Sequence, residues 1–300
     1  MSTLQAGTAP AAAGPSVPRR GRGLLRRTIF HNATLAAGSL LILLVVIIAI
    51  VVPLVSPGGA TALHPAASLT GPSGSYLLGT DQLGRDLLTR VAAGYRISLE
   101  VSLGSVGLAL LLGVPLGLLA AMGPRRLGGM IMRLLDVLMA FPALLLAIVV
   151  VAMAGTGTGV LLLAIGIVYI PVVARVMRAA ALNTSKEPFV EAARARGATF
   201  GRLVLRHVAP NSLGPVVVQA SILMAVSILL EAALSFIGLG VQPPTPSLGL
   251  MLSSGRDFMA SSPWVVADPG VAIVIVVLGF TLIGDGLQDW LDPKKRVIGR

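Results

Sequence analysis

Residues 35–55 read LAAGSLLILLVVIIAIVVPLV, an apolar run without one charged side chain. A bilayer core of roughly 30 Å is crossed by about 20 apolar residues in a helix, and this run meets that length. It follows Arg19, Arg20, Arg22, Arg26 and Arg27, an opening shared by membrane anchors and secretory signals, and Ala60-Thr61-Ala62 resembles a cleavage site. A signal's apolar region spans only about 7–15 residues, so the run reads as a retained anchor. The same ruler, moved outward, finds further spans at 97–122, 133–154, 159–178, 213–236 and 269–287. With 34–55 these make six, and the predicted fold is an all-α polytopic membrane protein.

Composition agrees. The 300 residues are 55% hydrophobic and 12% charged, with no cysteine, which is the profile of a membrane protein. Without cysteine, a disulfide framework and thiolate metal sites are excluded. The net charge of +11 does not point to nucleic acid, because the basic residues flank apolar runs instead of gathering on a soluble face with stacking aromatics.

Charge sidedness tests the six-span reading. Of the 23 Lys and Arg, 19 fall on one predicted side, in the N-terminal tail, near Pro124, over 175–206 and in the C-terminal tail. Only Arg85, Arg90, Arg96 and Arg256 fall on the other. Positively charged loops stay in the cytoplasm, so both termini are expected there. The organisation that follows is a disordered tail at 1–32, a first span at 33–56 and an outer segment at 57–96. A five-helix core at 97–287 then carries a cytoplasmic loop at 183–212 and an outer loop at 237–268, before a tail at 288–300.

The cytoplasmic loop contains SKEPFVEAARARGATFGRLVLRHVAPN. Pro188 suits the first turn of a short helix, EAARAR propagates it, and Gly197 is placed to stop it. Thr199 is placed to cap a second helix, which Pro210 closes. The first helix bears Phe189, Val190, Ala192 and Ala193, with little of its own to pack against, and can dock in a groove on another protein. It can equally lie on anionic lipid through Arg194, Arg196, Arg202 and Arg206.

Catalytic chemistry is absent from the expectation. A phosphate-binding loop requires GxxxxGK[ST], yet Lys186, Lys294 and Lys295 follow Ser185, Pro293 and Lys294. His31, His64 and His207 are scattered, and no metal or cofactor set is predicted. On the fifth span Ser227, Glu231, Ser235 and Gly238 fall at i, i+4, i+8 and i+11, a polar stripe on one helix face. It either lines a pore or gate, or joins neighbouring helices by hydrogen bonds. Asp136, Asp285 and Asp289 read as anchors near span ends, Asp136 pairing with Arg133 or the basic loop. Arg175 and Arg178 snorkel to the headgroups. In the outer segment Asp81, Arg85 and Asp86 lie in GTDQLGRD, where Gly79 and Gly84 suggest a folded turn. These charges either face an outside partner or form an internal salt bridge.

Glu191-Ala192-Ala193, then Gly197, then Pro210 resembles the "EAA" loop of ABC-importer permeases. RGATFGRLVLRHVAPN, GTDQLGRDLLTRVAAGYRISL at 79–99, LLEAALSFIGLGVQPPTPSLGLML at 229–252 and GDGLQDWLDP at 284–293 resemble the dipeptide/oligopeptide/nickel branch of that family. Departures are Ala209 where leucine is usual, Leu248 where tryptophan is common, and Tyr169 and Ile170 near a usual tryptophan. The resemblance implies the type I ABC-importer permease fold in the bacterial inner membrane. It implies a coupling helix, with Phe189, Glu191, Ala192, Ala193, Arg194 and Gly197, seated on a nucleotide-binding subunit. The implied partners are a second homologous permease, two cytoplasmic ATPases that hold the ATP and Mg, an extracytoplasmic solute-binding protein and membrane lipid, with no nucleic acid. Asp81, Arg85 and Asp86 would lie at the face under the binding protein. The rival class is an ion-coupled secondary transporter or channel, which usually places titratable groups at the membrane midplane.

Overall fold

In the computed structural model, residues 33–56 and 58–291 are described. The predicted tail at 1–32 and residues 292–300 of the C-terminal tail lie outside them. Every long element is helical: α1 (Ala33–Val55), α2 (Leu87–Met122), α3 (Arg125–Met139), α4 (Ala143–Ala154), α5 (Thr158–Thr184), α6 (Pro188–Ala195), α7 (Phe200–Phe236), α8 (Leu248–Gly255) and α9 (Trp264–Leu291). Five of these, α1, α2, α5, α7 and α9, are long and apolar enough to cross a membrane.

The predicted third span at 133–154 is corrected to a bent pair. α3 and α4 meet at 88° across a short break. Pro142 has no N–H and biases Phe141 away from the helical region. The chain tightens there: the Ala140 N–H reaches the Val137 carbonyl at 3.3 Å and the Phe141 N–H reaches the Leu138 carbonyl at 3.4 Å. Counting the pair as one crossing restores six.

The second span begins ten residues before its predicted start. Leu87 opens α2 behind Asp86, whose carboxylate accepts the Thr89 N–H at 3.0 Å as an N-cap. The last span likewise starts at Trp264, five residues before Pro269.

α2 and α7 are shared by two cores. One unites them with α4 and α5 around Val101, Ala109, Leu161, Ile165, Val173 and Leu234. The other joins them to α1, α8 and α9 around Val45, Leu87, Ile228, Leu248 and Val276. Leu248, at the position where the resembling branch carries tryptophan, is fully buried in this second core.

Candidate functional site

α6 is the one helix in the 183–212 loop that is not continuous with a membrane-length helix. Glu187 precedes it in extended conformation and Pro188 occupies its first turn, where the missing N–H leaves no bond unmade. Its end is a complete Schellman motif. The Ala198 N–H donates to the Ala193 carbonyl at 3.1 Å and the Gly197 N–H to the Arg194 carbonyl at 3.0 Å. Gly197 adopts φ +80°, the left-handed conformation that costs an ordinary residue roughly 1–2 kcal/mol. The glycine that the sequence placed at the helix end is therefore required there.

The helix is not loosely tethered, and this corrects the expectation that it has little to pack against. Val190 and Ala193 are buried, in a cluster with Ala181 of α5, Leu203 and Val208 of α7 and Leu118 of α2. Ala193 thus faces inward instead of toward a partner. Phe189, Glu191, Ala192, Arg194 and Gly197 are exposed, and Phe200, which sequence reasoning did not single out, is 58% exposed at the start of α7. Glu191 sits in the first turn and Arg194 in the last, each complementing the helix dipole. Neither makes an ion pair among the described residues.

The predicted second helix of the loop does not end at Pro210. Phe200–Arg202 opens it, Leu203–Val208 continues as a π-helix, and Ala209–Phe236 follows without a break. Proline removes one ladder bond and crowds the carbonyl four residues back; the wider π turn makes room for that ring. Thr199 precedes the helix without a capping side-chain bond.

The stripe on α7 is also corrected. Ser227, Glu231 and Ser235 are all buried, so they face the chain's own helices and not an open path. Ser98 Oγ donates to Glu231 Oε2 at 2.9 Å and Ser235 Oγ donates to Glu231 Oε1 at 2.8 Å. Ser227 turns back to the Met224 carbonyl at 2.8 Å. Gly238 has left the helix, at φ +84°. The contacts of the stripe in this chain are hydrogen bonds, one of them between helices. Its signal was present in α2, where Ser98, Ser102 and Ser105 repeat at i, i+4 and i+7 and are buried.

The outer cluster is an internal hub. Asp81 is buried; its Oδ1 accepts the N–H groups of Leu83 at 2.9 Å and Arg85 at 3.0 Å, and its Oδ2 meets Arg85 Nε at 2.6 Å. Arg90 Nε lies 3.4 Å from the same Oδ2 without hydrogen-bond geometry, while its Nη1 donates to the Ala60 carbonyl at 3.2 Å. Asp86 caps α2 and also accepts the Thr89 hydroxyl proton, which leaves Thr89 Oγ1 to accept from Ser56 Oγ at 2.9 Å. Arg90, Thr89 and Ser56 were not anticipated. Elsewhere, Asp136 pairs with Arg175 at 2.5 Å instead of with Arg133. No cluster of metal-ligating side chains occurs among the described residues.

Residues 113–297 match the family described as binding-protein-dependent transport system inner membrane component. A dipeptide transport system permease protein of Alkalihalophilus pseudofirmus is 43% identical, over 88% of this chain and 87% of that one. A di/tripeptide transport system permease protein of Pseudomonas aeruginosa is 45% identical over 88% and 89%. A glutathione transport system permease protein of Pectobacterium atrosepticum is 40% identical over 96% and 95%. Among solved structures, a chain of the MetNI methionine ABC transporter in inward-facing conformations superposes with a TM-score of 0.55, at 20% identity, covering 65% of this chain and 93% of that one.

Proposed function

Because the chain belongs to the family of binding-protein-dependent transport system inner membrane components, we propose that it is the pore-forming permease subunit of an ATP-driven importer of short peptides. Its relatives are named for dipeptides, di/tripeptides and glutathione, and a short peptide is the substrate class they share. The observation that carries the reading is α6, a stiffly capped helix with two side chains buried in its own chain, Phe189 and Ala192 exposed, and an exposed Phe200 at the start of α7. The exposed side of α6 seats on a cytoplasmic ATPase subunit, one of two, each serving one of two homologous permeases. ATP and Mg belong to those subunits, and this chain carries out no hydrolysis. A solute-binding protein delivers the peptide from outside, and both termini lie in the cytoplasm.

Motion then enters through Val190 and Ala193, which tie α6 to α2, α5 and α7. Closure of the ATPases draws the helices of the two permeases together on one side and opens the path on the other. Family membership supports this reading over an ion-coupled transporter.

The test uses the importer purified through a tag on this chain, reconstituted in liposomes with its binding protein and a labelled dipeptide. Uptake is expected to require ATP. Ala192→Arg, at an exposed position where no folding contact is lost, is expected to abolish uptake while the permease pair still assembles. ATP-independent uptake by this chain alone, or full uptake by the variant, would overturn the assignment.

A further inference from the structure

Between α3 and α5 lies a cavity of about 310 Å³, lined by Met132, Asp136, Arg175, Arg178, Ala179 and Leu182. The residues come from one face of each helix, at i, i+4 on α3 and i, i+3, i+4, i+7 on α5. Two of its three charges cancel, since Arg175 Nη2 meets Asp136 Oδ1 at 2.5 Å. Arg178 is left over. It makes no ion pair or hydrogen bond among the described residues, and its Nε is buried without an acceptor.

A buried guanidinium N–H without an acceptor carries its desolvation cost, so Arg178 Nε lacks a negatively charged oxygen of its own, the Asp136 carboxylate being engaged by Arg175. The guanidinium fork matches the paired oxygens of a phosphate. Two further features narrow the source of that phosphate. Arg175 and Arg178 sit where α5 turns from the apolar stretch Leu161–Ala174 to basic sequence, which is the level of the lipid headgroups. Met132 and Leu182 supply apolar walls beside the charge, suited to a group that bears hydrocarbon. The cavity's residual charge of one unit also matches a singly charged phosphodiester better than free dianionic phosphate.

We propose that the α3–α5 cavity is a specific site for the phosphate of an anionic phospholipid, with Arg178 as its charged contact. Asp136 holds Arg175 back from the phosphate and so limits the site to one negative charge. This assignment is independent of α6 and of the transported solute.

The full chain, purified in mild detergent, is examined by native mass spectrometry after addition of phosphatidylglycerol or phosphatidylcholine. Retention of phosphatidylglycerol is expected to exceed that of phosphatidylcholine on the order of fivefold, the effect of one basic residue near an anionic headgroup. Arg178→Gln removes the preference, and Arg178→Lys keeps most of it, both with unchanged helical circular dichroism. Equal retention of the two lipids, or an undiminished preference in Arg178→Gln, overturns the site. Inorganic phosphate that raises the thermal midpoint as much as phosphatidylglycerol would assign the cavity to a free anion and overturn the lipid.

Discussion

Ser98 and Glu231, 133 residues apart in sequence, meet inside the helix bundle with Oγ to Oε2 at 2.9 Å. The bond joins α2 to α7, the two helices shared by both cores, at a depth where neither side chain reaches the surface. A carboxylate placed there has to be hydrogen-bonded, and the second serine, Ser235, occupies its other oxygen. Glu231, held by Ser235 on its own helix, thus fastens α7 to α2 through Ser98.

Glu231→Gln is expected to stay within about 1 kcal/mol of wild type, because an amide accepts from one serine and donates to the other. Glu231→Leu strands both hydroxyls and is expected to cost about 1–3 kcal/mol. Ser98→Ala is expected to cost less than the leucine variant, near the ~0.6 kcal/mol typical of interhelical hydrogen bonds in membranes. Thermal unfolding in detergent gives the order, and a Leu variant as stable as the Gln variant would refute the fastening.

At Gly197 a Cβ would meet nothing of this chain within 4 Å, so the cost of substitution within the chain is backbone strain. Gly197→Val is expected to unwind the end of α6 and abolish ATP-driven uptake while the protein still inserts. Gly197→Asn, which tolerates the left-handed conformation, is expected to retain most uptake. Equal loss in both would show that side-chain bulk, and not φ, is what matters.

Asp81→Asn removes the charge that both Arg85 and Arg90 approach in a buried site. Breaking one partner of a buried pair costs about 3–5 kcal/mol. Asp86→Asn preserves an N-cap acceptor and is expected to cost less than about 1 kcal/mol. Melting temperatures of the two variants should separate clearly, and coincident values would contradict the hub.

Gly84 adopts φ +71°, and a Cβ on it would lie 1.8 Å from the His64 carbonyl oxygen. Gly84→Ala is therefore expected to push apart the segment before α2. Limited proteolysis of oriented vesicles should cut within residues 58–86 faster than in wild type. An unchanged digestion rate would mean that the backbone yields without opening.

The apolar runs were legible because each is long enough to demand a bilayer, and Gly197 was legible because helix-stop chemistry is local. The outer hub was less so: GTDQLGRD advertised charges and turns, but Arg90 lies beyond the motif, inside a helix whose start the apolar ruler missed. Pro210 misled, since a proline that usually ends a helix is here accommodated by a π turn. Pro142 was overlooked, although it breaks a run that hydropathy reads as continuous. The inward turn of Val190 and Ala193 depends on α2, α5 and α7 arriving together, which no window on the loop contains.

The uninterrupted α7 places a mechanical condition on the molecule. Its 37 residues rise about 55 Å at 1.5 Å each, well beyond the hydrocarbon thickness. From Val208, packed beside α6, to Glu231, fastened to Ser98, the axis runs roughly 35 Å without a hinge loop. One continuous helix thus links the packing site of α6 to the Ser98–Glu231 bond, with Pro210 and Pro215 as the places where it can bend between them.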